Sequence, residues 1–95
     1  MVIITSVLDQ KEFEDLRTFR GKVSKEEVKK ILDLVEENIL KGNSLKSAII
    51  FAYTDYIEEV RGKKEVYSLI SEILEKYSQK LGLENVSQLI LNTLD

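Results

Sequence analysis

The chain has 95 residues, of which 43% are hydrophobic and 33% charged, with a net charge of −3 and a pI near 5.1. That length and balance make one globular domain (residues 1–95) with a single modest core, and they argue against a strongly basic nucleic-acid binder. With neither cysteine nor histidine, the chain has no disulfide, thiolate nucleophile, imidazole base or ordinary zinc site. Most hydrolase and metalloenzyme designs are thereby excluded, and the sequence assigns no catalytic residue, no metal ligand and no cofactor. No apolar run approaches the roughly 20 residues of a membrane span, and the first eight residues lack the basic start of a secretory signal. A cytoplasmic, non-enzymatic protein is expected.

Residues 2–8, rich in β-branched side chains, predict a short strand or an extended arm. Asp9 then reads as the cap of a first helix over about 10–20, with Phe13 and Leu16 on its apolar side and Gly21 as its stop. Ser24 opens a second helix, with Glu27 three residues on, in the capping-box pattern. Val28, Ile31, Leu32, Val35 and Ile39 form its stripe, and Gly42 ends it. Asn43 or Ser44 caps a third helix running to Gly62.

Leu45, Ala48, Ile49, Ala52, Tyr53, Tyr56, Ile57 and Val60 lie at helical spacing along that third segment. Ile50 and Phe51 fall off the stripe, so its first half is apolar nearly all round and needs cover on more than one side. Ala48 and Ala52, one turn apart, admit a close neighbour. These four residues, Ala48, Ile50, Phe51 and Ala52, are the candidates for self-association, and a homodimer is expected.

Residues 64–81 predict a fourth helix with Val66, Leu69, Ile70, Ile73, Leu74, Tyr77 and Leu81 on one face and Tyr67 beside it. Gly82 closes it, and a last helix is expected over about 85–94. The four glycines recur about every twenty residues, as helix ends require. The fold class is therefore all-α, a compact bundle of about five helices.

Two basic groups are candidates for nucleic-acid contacts: Arg20, Lys22 and Lys25, with Arg17 beside them, and Arg61, Lys63 and Lys64. Cations at helix C-termini also complement the helix dipole, at a few tenths of a kcal/mol each, and that bland account covers most of them. Glu36, Glu37, Asp55, Glu58 and Glu59 read as solvated charge, because adjacent helical residues point about 100° apart. No EF-hand pattern or phosphate loop is present.

In lacking cysteine and proline while being rich in Ile, Val, Glu and Lys, the composition resembles small proteins of hyperthermophilic archaea and their viruses. Residues 20–28, followed by Asn43-Ser44, Ala48-Ile49, Ala52 and Tyr56-Ile57, resemble the strand, helix, turn and helix of ribbon-helix-helix regulators. That resemblance implies a paired strand carrying Arg20 and Lys22 toward DNA bases, with Ser44 near phosphate. Residues 74–92 bear a fainter likeness to a helix-turn-helix. The sequence thus favours a helical module that binds a second copy of itself or another protein, with a small DNA-binding regulator as the alternative.

Overall fold

The computed structural model describes residues 10–95. Six helices follow in order: α1 (Gln10–Arg17), α2 (Lys25–Leu40), α3 (Leu45–Asp55), α4 (Ile57–Gly62), α5 (Lys64–Leu81) and α6 (Leu83–Leu94). Among the described residues there is no strand, and the only β-type pairing is an isolated bridge between Arg20 and Val23. The all-α expectation holds. The strand or arm expected over residues 2–8 lies outside the described residues.

Local chemistry explains most of the boundaries. Ser24 and Ser44 hold extended backbone and accept the amides of Glu27 (3.4 Å) and Ser47 (3.2 Å), which caps α2 and α3. At the end of α2, Gly42 takes φ +105 while its amide and that of Asn43 return to the carbonyls of Ile39 and Asn38. The chain then reverses, and α3 packs back along α2. Ala48 and Ala52 are fully buried in that seam, where their small side chains let the two helices approach closely.

The segment expected as one helix from 44 to Gly62 is two helices. Tyr56 leaves helical geometry (φ −121, ψ 41), and its amide bonds back only to Tyr53. Thr54, Asp55 and Tyr56 are three consecutive weak helix formers, and the Tyr53 hydroxyl is anchored on α5 through the Tyr67 carbonyl at 2.7 Å. The break leaves α4 with no buried residue.

The core gathers on α5 instead. Val66, Tyr67, Ile70, Ile73, Leu74 and Tyr77 are all buried there, facing α6, α1 and α3. Leu16 from α1, the α2 stripe and Val86, Ile90, Leu91 and Leu94 from α6 complete it. Each fully buried aliphatic side chain contributes about 1.5–3 kcal/mol. The Cα extents of 39 × 32 × 17 Å describe a slab, whose thin dimension fits two helix layers.

Candidate functional site

The ribbon expected from residues 20–23 is a tight turn. Gly21 takes φ +80, and the Lys22 amide returns to the Phe19 carbonyl at 2.9 Å. No extended strand leads into α2, so the ribbon-helix-helix arrangement is overturned. The helix-turn-helix likeness over 74–92 fares no better, since a single residue, Gly82, separates α5 from α6.

Two polar clusters lie half inside the molecule. Glu27 accepts from the Tyr67 hydroxyl and pairs with Lys63 at 3.0 Å, while Tyr53 accepts from Ser71 at 2.7 Å. Burial pushes the Tyr53 phenol up to about 12, and burial with the adjoining Glu27 carboxylate drives Tyr67 higher still. Glu12, the buried carboxylate of α1, accepts from Tyr77 at 2.7 Å and Lys76 at 3.2 Å. Every partner here is satisfied within the fold, so these groups tie helices together rather than face a substrate.

Two grooves remain. An acidic one, about 180 Å³, runs between α2 and α6 over Leu32, Leu83 and Leu91. Asp33 and Glu36 line one wall and Glu84, Ser87 and Gln88 the other, with Lys29 at the edge. Asp33 is already paired with Lys29 at 3.1 Å, and the Gln88 amide nitrogen donates to Asn92. Among the described residues, no three acidic side chains converge closely enough to hold a metal ion.

The second groove is basic and larger, about 490 Å³. Phe19 and Lys22 come from the turn after α1; Arg61, Gly62, Lys63, Lys64, Glu65 and Val66 come from the α4–α5 junction. Four of the six basic residues singled out in the sequence therefore meet in one place. Arg20 and Lys25 do not join them. The Arg20 guanidinium donates to the Thr93 carbonyl at 2.8 Å, and Lys25 pairs with Asp95 at 3.1 Å, both at the far end of α6.

The four self-association candidates separate as well. Ala48 and Ala52 are sealed within the chain's own core, whereas Ile50 and Phe51 are 56% and 50% exposed, and Ile57 of α4 is 44% exposed. Tyr67, placed beside its stripe by the sequence, is among the most completely buried side chains. Glu27, read as half of a capping box, turns away from Ser24 to serve Tyr67 and Lys63.

The chain matches the family model described as "Calcium binding protein SSO6904" over residues 5–94. It is also similar to the solution structure of an archaeal protein, SSO6904, from hyperthermophilic Sulfolobus solfataricus, with 43% identity and a TM-score of 0.85. The match covers 94% of this chain and 90% of that one. No curated protein matches. The archaeal character read from composition agrees with that relative, and the family's description names a binder rather than a catalyst. With nearly its whole length matched, the chain belongs to the calcium binding protein SSO6904 family.

Proposed function

We propose that this is a non-enzymatic helical protein that binds Ca²⁺ weakly, in the acidic groove between α2 and α6. Family membership supports the ion. The location rests on one observation: in that groove, carboxylates from two helices face a shared space. Calcium takes six to eight oxygens, and Asp33, Glu36, Glu84, Ser87 and Gln88 offer oxygens of the right hardness. They do not form a ready cage. No three acids converge, and Lys29 competes for Asp33. An open, partly neutralised groove of this kind belongs with sites of about 10⁻⁴–10⁻³ M affinity.

The test is an NMR titration with Ca²⁺, with Mg²⁺ as the control. Shifts should centre on residues 29–36 and 84–91, and Asp33→Asn/Glu36→Gln/Glu84→Gln should weaken binding at least about tenfold. Unchanged affinity in the triple variant would remove the groove from the proposal. A wild-type chain silent at about 10 mM Ca²⁺ would remove calcium.

Self-association is the second part of this reading, with a second copy of the chain as the occupant. It is supported by the exposed apolar side chains Ile50, Phe51 and Ile57, which a two-fold interface would cover on both copies at once. Light scattering should give a dimer mass for wild type and a monomer mass for Phe51→Glu, with helical content unchanged. A monomeric wild type at about millimolar concentration ends the dimer reading.

A further inference from the structure

We infer that the basic groove between the turn after α1 and the α4–α5 junction is a binding site for a small phosphate-bearing molecule of nucleotide size. This goes beyond the calcium reading, involves different residues and does not depend on it. The groove's volume of about 490 Å³ lies within the ~300–1,000 Å³ range of small-molecule sites. Its walls come from chain segments some forty residues apart, so the fold, not local composition, brings the charges together.

Four cations line this one groove in a chain whose net charge is −3. Lys63 is neutralised by Glu27. Among the described residues, no carboxylate pairs with Lys22, Arg61 or Lys64. Glu65 is the one acid on the wall; it lies in the first turn of α5, where a negative charge complements the helix dipole.

Helix-end stabilisation accounts for Arg61, in the last turn of α4, and for Lys63, its C-cap, but not for Lys64. Lys64 is the first residue of the 18-residue α5, the end at which positive charge is unfavourable. No side chain caps that end. The ion pair with Glu27 offsets the charge of Lys63, whereas a bound anion would offset the mutual repulsion of Lys22, Arg61 and Lys64.

Phe19, half-buried against the core, supplies an apolar wall beside the cations. Phosphates between Lys22, Arg61 and Lys64, with a planar base toward Phe19, match that division of polarity. A nucleic-acid polymer fits less well. Arg20 and Lys25, which would extend the cationic track, are turned to the end of α6 and engaged with Thr93 and Asp95.

The experiment is a ¹H–¹⁵N NMR titration of the full chain at low salt with a chelator present, so that failure of the calcium site cannot affect it. The probes are ATP, pyrophosphate and inorganic phosphate. ATP should shift Phe19, Lys22 and residues 61–66, with pyrophosphate next and phosphate weakest. Arg61→Ala/Lys64→Ala changes only exposed side chains and should weaken ATP at least about tenfold with the unfolding midpoint unchanged. Phe19→Leu should weaken ATP but not pyrophosphate, and equal ranking of ATP and pyrophosphate in wild type would overturn the nucleotide-sized ligand. Three results would overturn the site: no shifts at about 5 mM ATP, shifts elsewhere, or full affinity in the double variant. Tighter binding of a mixed-sequence duplex than of ATP through these same residues would replace the small ligand with a polymer.

Discussion

Glu27 sits in the first turn of α2 and accepts a hydrogen bond from a tyrosine forty residues away. A phenol donating to a carboxylate with little access to water contributes more than an exposed pair. Tyr67→Phe should therefore destabilise the fold by about 1.5–3 kcal/mol at neutral pH, read from chemical unfolding. The difference should also depend on pH. The unfolded chain ionises this phenol near 10.0, while in the folded chain burial and Glu27 hold it protonated well beyond that. Wild type thus keeps its full advantage below pH 10 and loses it progressively above, so the gap to Tyr67→Phe narrows as pH rises. A gap that widens would reverse the assignment. The cap that Ser24 places on the Glu27 amide was legible in the sequence; the partners of the Glu27 carboxylate were not, because no local pattern records a partner forty residues off. The burial of Tyr67, beside its stripe, was not legible for a related reason. A single helical stripe describes one covered face, and α5 is covered by several neighbours.

At the level of elements, periodicity and glycine spacing placed most helices. Gly21, Gly42 and Gly82 all adopt positive φ, Gly42 and Gly82 just beyond helix ends and Gly21 in the turn after α1, which closes at Arg17 rather than near residue 20. Gly62 does not, and here the pattern misled. It belongs to α4, and the true break lies at Tyr56, where anchoring of Tyr53 on α5 competes with a weakly helical sequence. The two glycines therefore respond oppositely to alanine. Gly82 combines φ +88 with ψ 142, a region essentially closed to other residues, and a Cβ placed there would meet only the Asn85 side chain, at 3.8 Å. Gly82→Ala should cost about 1–3 kcal/mol through backbone strain alone. Gly62→Ala meets open space without a left-handed backbone and should be neutral or stabilising by up to about 1 kcal/mol. Thermal unfolding of the pair checks this, and equal losses at both positions would refute it.

Over the whole molecule, the class and the apolar pattern were readable from sequence, but neither groove was. The acidic groove needs residues 33–36 opposite 84–88, and the basic one needs 19–22 opposite 61–66. Such pairings are made by tertiary packing, and one sequence carries no record of them. The same non-local packing has a bearing on biosynthesis. Helix α1 rests on α5 and α6, while Arg20 in the turn after it and Lys25 at the start of α2 are fastened to the end of α6 through Thr93 and Asp95. A ribosome delivers α1 long before those surfaces exist, so the apolar side of Phe13 and Leu16 is fully covered only when both α5 and α6 have emerged. Completion of this fold is thus a late event in translation, and a nascent chain stalled before residue 83 would leave the α1 face available to chaperones.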